Sequence, residues 1–120
     1  MNPKNKSILY LEDDILIAQS FHRLLTLFFK KVVHCTNGCE GLEKYHKNKF
    51  DIIITDINMP MMNGIEFARN IRNIDKYIPI FLHSSFQEKD VDLKGINITA
   101  YLKKPLSSKD FMNFIKQCEI

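Results

Sequence analysis

The sequence predicts an α/β domain in which a five-stranded parallel sheet, doubly wound, is covered by helices on both faces. Two observations predict this fold. Short apolar segments alternate along the chain with segments of helical periodicity, as is typical of parallel sheets. The run Ile52–Thr55 does not alternate apolar with polar residues as a half-exposed strand would, so it predicts a strand buried on both faces. Because 120 residues is the usual size of one domain, we expect a single domain over residues 1–120.

The first half of the chain contains two strand-helix units. Lys6–Leu11 is a short apolar run that ends in three acids, and apolar residues at helical spacing follow it up to about Lys30. Acidic side chains at the start of this helix would stabilise it through its dipole. Val32–Thr36 is predicted as the second strand, and an Asn-Gly pair then turns the chain into a shorter helix, from about Cys39 to Asn48.

The third unit begins with the strand Phe50–Thr55 and continues with a helix over Ile65–Ile74, where apolar residues again have helical spacing. A proline, an asparagine and a glycine mark the loop between them. In an open parallel sheet the ligand site lies at the carboxyl ends of the strands. Asp56 comes directly after the buried strand and is therefore our leading candidate for the reactive group.

The last two units are less regular. Pro79 precedes the fourth strand, Ile80–His83, and residues 86–98 follow it. The apolar residues of this segment nearly alternate, which fits a helix poorly, but the overall alternation places a short helix there. Ala100–Lys103 is predicted as the fifth strand. The last helix runs from about Ser108 to Cys118, with Ser107 or Ser108 as its cap.

Composition excludes several classes of function. The net charge of +3 is mild and the basic residues form no dense cluster, so we expect no direct binding to nucleic acid. No apolar run approaches the length of a membrane span, and the polar start does not resemble a signal peptide. Three cysteines without metal-ligand spacing fit reduced thiols, so the chain is expected to be cytoplasmic.

Three kinds of polar group are predicted to meet at the carboxyl edge of this sheet. Carboxylates end the first and third strands, hydroxyls end the fourth, and a lysine follows the fifth. These residues are Glu12, Asp13, Asp14, Asp56, Ser84, Ser85 and Lys104. Clustered carboxylates without histidine or cysteine suit a hard cation such as Mg²⁺. A lysine and a hydroxyl beside them suit a phosphoryl group, so the pattern indicates phosphoryl transfer onto a carboxylate.

The motifs that carry this chemistry also occur together in a known family. In chain order they are Ile8–Asp14, Thr36–Leu42, Asp56–Pro60 with Gly64, Ile71–Arg72, Pro79–Ser85 and Tyr101–Pro105. In this order and spacing they resemble the receiver domain of two-component response regulators. The resemblance covers nearly the whole chain and implies the flavodoxin-like form of the fold.

The resemblance also implies a role for each site residue. Asp56 would accept a phosphoryl group from a phosphohistidine, with Mg²⁺ as cofactor. The cation would be bound by Asp13, Glu12, Asp56 and the backbone carbonyl of Asn58, with Asp13 as the more direct ligand of the acidic pair. The remaining roles belong to Lys104, Ser84 and Tyr101. Lys104 would pair with the phosphoryl oxygens, Ser84 would donate its hydroxyl to one of them, and Tyr101 would swing inward as Ser84 moves.

The partners implied are a sensor histidine kinase or phosphotransfer protein, and a downstream target or attached output domain. The resemblance to receiver domains also allows a dimer. Such a switch catalyses only its own phosphorylation and dephosphorylation and is not an enzyme with an outside substrate. Two alternatives stay open. One is a receiver-like interaction module that acts without phosphate. The other is a Mg²⁺-dependent phosphatase, against which Asn58 stands where a second aspartate is needed.

Four features depart from the family's pattern. His83 occupies a position that is normally apolar, and we expect it to fill a place in the core. Ser85 replaces a small alanine, and Phe86 stands near the path of the hydrolytic water, where it would alter the lifetime of the phosphorylated form. The interval from Ser84 to Lys104 is about two residues short, which places the helix expected within residues 86–98 in doubt.

Overall fold

The computed structural model describes residues 3–119 and contains one parallel sheet of five strands in the order β2-β1-β3-β4-β5. The strands are β1 (Ser7–Leu11), β2 (Lys31–Cys35), β3 (Ile52–Thr55), β4 (Ile80–Ser84) and β5 (Ala100–Lys103). The α-helices are α1 (Ile15–Thr26), α2 (Gly38–Lys47), α3 (Gly64–Ile74) and α4 (Ser108–Cys118). The sheet reverses its direction of winding beside β1, and the predicted doubly wound, flavodoxin-like fold is confirmed.

The sheet has an apolar core on each face. On one face, Phe21 of α1 and Phe111 and Phe114 of α4 pack against Tyr10 and Phe81. On the other face, α2 and α3 cover the alternate residues of the same strands. The buried members there include Leu9, Ile53, Phe67, Ile71 and Leu82. Because β3 contributes residues to both cores, its uninterrupted apolar run is explained.

The prediction of a short helix within residues 86–98 is wrong. Within the described residues this segment holds only a 3₁₀ turn, Glu88–Asp90, and four α-helices replace the five helices expected. Gly95 has a φ of +80°, which an α-helix cannot contain. Among the apolar side chains of the segment, Ile96 is buried in the core of the α2 and α3 face, whereas Val91, Leu93 and Ile98 are only partly buried against that core.

Helix α1 also ends earlier than its apolar pattern suggests, at Thr26 instead of about Lys30. Phe29 lies beyond the helix yet is buried in the core, and the Lys30 N–H donates to the carbonyl of Lys6 at 2.9 Å. The apolar pattern continues past the helix because the chain that leads into β2 is buried too. The prediction that acids occupy the first turn of α1 is also wrong, because the helix begins at Ile15 and Asp14 is its N-cap.

Candidate functional site

The site lies where β1, β3 and β5 end at the carboxyl edge of the sheet. Asp56 follows β3, and its N–H donates to the carbonyl of Leu11 at 2.9 Å, which ties it to the end of β1. Its side chain is held as well, because Oδ1 accepts from the N–H of Ile57 at 2.7 Å. Asp56 is only 8% exposed. The carboxylate is therefore fixed in position at the edge of the core.

Close packing of backbone also fixes Asp56. Helix α3 begins at Gly64, whose N–H donates to the carbonyl of Ile57 at 2.8 Å. A Cβ at position 64 would overlap the backbone carbonyl of Asp56. Only glycine lets α3 begin this close to the end of β3, whereas the sequence marked Gly64 as a loop residue and as part of the family's motif without this reason.

Lys104 joins two of the acids. Its Nζ donates to Oε1 of Glu12 at 2.6 Å and to Oδ2 of Asp56 at 3.1 Å. Glu12 is almost fully buried, at 1% exposed, and its Oε2 accepts from the N–H of Asp14 at 3.2 Å. The backbone carbonyl of Glu12 lies 2.7 Å from Nε2 of His34. Lys104, which follows β5, thus links the ends of β1 and β3.

Burial and neighbouring charges shift the pKa values of Glu12 and Lys104. Burial raises the pKa of Glu12, and the negative charge of Asp56 adds to that rise, although the hydrogen bond from Lys104 opposes it. Burial alone would lower the pKa of Lys104. Its hydrogen bond to Glu12 and the charge of Asp56 outweigh that effect, so its pKa is raised. The lysine is therefore cationic at neutral pH.

Three carboxylates of this edge could hold a metal ion. Glu12, Asp13 and Asp56 each offer an oxygen, and the three oxygens lie within 4.8 Å of one another. Asp13 is exposed, so the cluster opens to solvent on its side. Three carboxylates outweigh the single charge of Lys104, and all the donors are oxygens. This donor set fits a hard divalent cation such as Mg²⁺.

Ser84 and Tyr101 lie in a second group, centred on the backbone of Phe86. The N–H of Phe86 donates to Oγ of Ser84 at 3.1 Å, and the Tyr101 hydroxyl donates to the carbonyl of Phe86 at 2.7 Å. Ser84 is buried, whereas Tyr101 is partly buried. This connection through the backbone of one residue could not be read from the sequence, because the side chain of Phe86 takes no part in it.

The other predicted residues are distributed around these two groups. Asn58 is exposed, two positions beyond Asp56. The N–H of Lys104 donates to the carbonyl of Ser84 at 2.8 Å, which links the acidic cluster to the Phe86 group. His83 is 4% exposed and fills a core position, as predicted. Asp14 caps α1 through a 3.1 Å hydrogen bond from the N–H of Ile17 and lies outside the acidic cluster.

With this geometry established, comparison with known proteins decides the family. The sequence profile of the response regulator receiver domain matches residues 8–116. The chain belongs to the response regulator receiver domain family. Domains of this family are phosphoacceptor switches of two-component systems and are not enzymes in the ordinary sense. The receiver domain accounts for nearly the whole chain described above.

Individual relatives agree with this assignment. The chain is 34% identical over 115 residues to the "Probable transcriptional regulator ycf29" of Porphyra purpurea, covering 92% of this chain and 54% of that protein. It is 27% identical to the polar-differentiation response regulator DivK of Brucella anthropi, covering 92% of this chain and 94% of DivK. The chain thus spans about half of the first relative, and it spans 24% and 17% of two other curated relatives.

A solved receiver structure connects the family to the metal. The response regulator TrrA of Thermotoga maritima, solved in complex with Mg²⁺ and BeF, matches with a TM-score of 0.84 and 26% identity. The match covers 95% of this chain and 99% of TrrA. Separately, none of the helices within residues 3–119 has both the length and the apolar character needed to cross a membrane.

Proposed function

We propose that this receiver domain, residues 1–120, takes a phosphoryl group onto Asp56 from a phosphohistidine of a sensor histidine kinase or phosphotransfer protein. The observation that carries the proposal is the Asp56 carboxylate, fixed at a strand end, 3.1 Å from the Lys104 ammonium and beside Glu12 and Asp13. An oxygen of Asp56 forms a bond to phosphorus while the phosphorus–nitrogen bond of the donor breaks. The electron pair of that bond stays on the imidazole, and an acyl phosphate results.

Lys104 stabilises the transferred group in this proposal. Its side chain is 15% exposed and already donates to two carboxylate oxygens, so its ammonium is held beside the position where phosphoryl oxygens arrive. Phosphoryl transfer concentrates negative charge on the equatorial oxygens, and a fixed cation stabilises that charge without reorganising. The raised pKa of Lys104 keeps this cation charged.

Glu12, Asp13, Asp56 and the backbone carbonyl of Asn58 would hold Mg²⁺. The bound cation offsets the charge of the carboxylates and of the phosphoryl oxygens. The three clustered carboxylates support their place in this ligand set, and the Mg²⁺-bound relative supports the choice of metal. Asp13 is the exposed member of the three carboxylates, so the site would open to solvent on its side.

The phosphoryl group would change the conformation through Ser84. When the Ser84 hydroxyl donates to a phosphoryl oxygen, it moves away from the N–H of Phe86, which then loses its acceptor. The carbonyl of the same residue accepts from the hydroxyl of Tyr101, so the segment 85–99 and Tyr101 respond together. A charge at Asp56 thereby biases two arrangements of this surface, which a downstream target or an attached output domain, or a second copy in a dimer, can distinguish.

The proposed switch turns over no outside substrate, needs no nucleic acid or membrane, and works in the cytoplasm. Cys35, Cys39 and Cys118 are all free thiols, which suits a reducing compartment. The phosphate-independent interaction module is the alternative. The phosphatase hypothesis is weaker, because the exposed residue two positions after Asp56 is the amide Asn58.

The test is the intact mass of the protein after incubation with acetyl phosphate and Mg²⁺. We expect one added phosphoryl group in the native chain and none in Asp56→Asn. Asp51→Asn is the matched control, since Asp51 precedes β3 and Asp56 follows it. Asp51 accepts from the N–H of Ser7 far from the acidic cluster, so this variant should be labelled normally.

A second arm tests the metal ligands. Asp13→Asn should raise the Mg²⁺ concentration needed for labelling by about tenfold or more, because even indirect partners of a metal site change affinity by that much. Labelling of the native chain that survives chelation would contradict the Mg²⁺ proposal. No labelling of the native chain at any Mg²⁺ concentration would favour the phosphate-independent module.

A further inference from the structure

His34, on the edge strand β2, holds the backbone beside the acidic cluster. Its Nε2 lies 2.7 Å from the backbone carbonyl of Glu12. A carbonyl oxygen can only accept a hydrogen bond, so Nε2 carries a proton and donates it. The cation and the neutral imidazole with its proton on Nε2 can both make this bond, so the contact does not depend on titration of the ring. The proposed phosphoryl transfer gives His34 no role.

The imidazole is itself held in place by the core. His34 lies beside Tyr10 of β1 in the sheet register, and the two ring centroids are 5.4 Å apart with an interplanar angle of 37°. Tyr10 is fully buried, and its ring lies 5.1 Å from that of Phe21 in α1. His34 is half-buried. Its ring is therefore packed against a fixed neighbour while its Nε2 reaches the carbonyl of Glu12.

The acceptor belongs to the peptide unit that joins Glu12 to Asp13. The N–H of Glu12 donates to the carbonyl of Cys35 at 2.9 Å, so β2 holds this residue through both of its backbone groups. The Glu12 carboxylate is bound on both of its oxygens. By contrast, no hydrogen bond reaches the exposed side chain of Asp13 within residues 3–119. Because a peptide unit is planar, the bond from His34 fixes the direction in which the chain enters Asp13.

We infer that His34 is a positioning residue for the metal site, which holds the Glu12–Asp13 peptide so that the Asp13 carboxylate stays beside those of Glu12 and Asp56. The inference rests on the proposed function, in which Asp13 is a ligand of Mg²⁺. This ion demands near-ideal geometry, so a loosely held ligand binds it less well. Removing a residue that orients a metal ligand typically weakens metal affinity by about tenfold to a hundredfold.

The first measurement uses the ¹⁵N-labelled protein without metal. Long-range ¹⁵N–¹H spectra of the imidazoles should show a proton on Nε2 of His34, and a proton on Nδ1 alone would overturn the inference. The N–H of Asp13 lies in the same peptide unit as the carbonyl that His34 holds. Its order parameter should be near the rigid value of about 0.85 in the native chain and fall clearly in His34→Met. Equal order parameters in the two proteins would also overturn the inference.

The second measurement is the dissociation constant for Mg²⁺ alone, taken from the amide shifts of residues 12–14 and 56–58. We expect His34→Met to raise it by about tenfold. His34→Gln keeps an N–H donor at the place of Nε2 and should recover most of the native affinity. Val32→Ala is the matched control, because Val32 lies on the same face of β2 and is partly buried against the same core. This variant should bind Mg²⁺ as the native chain does.

The outcomes separate this inference from the proposed function. Native Mg²⁺ affinity in His34→Met, together with weakened binding in Asp13→Asn, would refute the role of His34 and leave the ligand set intact. An equal loss in Val32→Ala, or no recovery in His34→Gln, would assign the effect to the packing of β2 and also refute it. Native affinity in Asp13→Asn would instead remove Asp13 from the proposed ligands, and with it the need to position that residue.

Discussion

Two connections between neighbouring strands, residues 56–79 and residues 85–99, differ in how they are held. The first contains α3, which begins with a capping box formed by Asn63 and Glu66 and buries Phe67 and Ile71. The second contains no α-helix within the described residues and only one short 3₁₀ turn. Its backbone is held from outside, since Arg72 of α3 donates to the carbonyl of Asn97 at 2.7 Å.

The connection over residues 56–79 is therefore rigid, whereas the connection over residues 85–99 is held by fewer contacts and is easier to rearrange. We call them the rigid connection and the conditional connection. The α3 connection is specified by its own cap, its helical periodicity and its buried face. The 85–99 segment depends on hydrogen bonds from α3 and on those that join the backbone of Phe86 to Ser84 and Tyr101. Segments held by few contacts open at lower free energy than the core does. The proposed signal therefore acts on the connection that is easier to rearrange, while the connection beside Asp56 keeps the acid in place.

The largest expected effect breaks the rigid connection. Gly64→Ala should lower the free energy of unfolding by about 3 kcal/mol, because the new Cβ overlaps the carbonyl of Asp56 and backbone must move to relieve it. Urea unfolding measures the loss. Phosphoryl labelling of Asp56 should fall as well, since the acid is displaced. A variant as stable as the native chain would show that α3 does not need this close approach.

The next effect loosens the conditional connection. Arg72→Met keeps the length of the side chain but removes the donors to the carbonyls of Asn97 and Asp75. We expect a loss of about 2 kcal/mol, since hydrogen bonds from charged groups are the stronger ones. Hydrogen exchange should accelerate over residues 91–98 and stay slow in the core of α3. Arg69→Met is the matched control. Within residues 3–119 its side chain makes one hydrogen bond, to the carbonyl of Lys94 at 3.0 Å, which is exposed, so the substitution should cost about 0.5 kcal/mol.

A third variant compares the glycines of the two connections. Gly95→Ala should cost about 1 kcal/mol, because a Cβ there would make only an ordinary 3.7 Å contact with the Arg69 side chain, so that the φ of +80° alone is unfavourable. Gly95→Asn should cost less, since asparagine tolerates this conformation. Gly64 is required for space and Gly95 for its backbone conformation. A loss at Gly95 as large as that at Gly64, measured by urea unfolding, would remove this distinction.

The sequence predicted the sheet and the acidic cluster for one shared reason. Glu12, Asp56 and Lys104 each follow a strand, and a parallel sheet brings all strand ends to one edge. Once the alternation of elements predicts a parallel sheet, the proximity of these residues follows without any knowledge of loops. Their roles in phosphoryl transfer remain predictions.

The parts that the sequence did not predict depend on backbone contacts and on backbone conformation. The bond from Arg72 to Asn97 joins residues 25 positions apart, and nothing local marks its acceptor. The role of Phe86 lies in its backbone, which no side-chain pattern reports. The positive φ of Gly95 was visible only as an early glycine in a poor helical pattern, and the expectation of a helix there followed alternation where local sequence argued against it.

The smallest effect concerns the turn that ends α3, which a carboxylate holds. Hydrogen bonds from the N–H groups of Tyr77 and Ile78 and from the hydroxyl of Tyr45 lower the pKa of Asp75 below its ordinary value of 3.8. Because the folded-state pKa is the lower one, this stabilisation is fully present above 3.8 and disappears as the pH falls through the folded value.

Urea unfolding of the native chain and of Asp75→Asn, from neutral pH down to about pH 3, measures this contribution as a difference. We expect the native chain to be the more stable near neutrality and the difference to shrink toward the acid limit. The loss in Arg72→Met should change less over the same range, because the guanidinium stays charged and its bond to the carbonyl of Asn97 does not titrate, so that only its attraction to Asp75 fades in acid. The α3 turn would then weaken in acid while the arginine bond to residues 85–99 does not. A difference for Asp75→Asn that stays constant would show that its charge does not stabilise the turn.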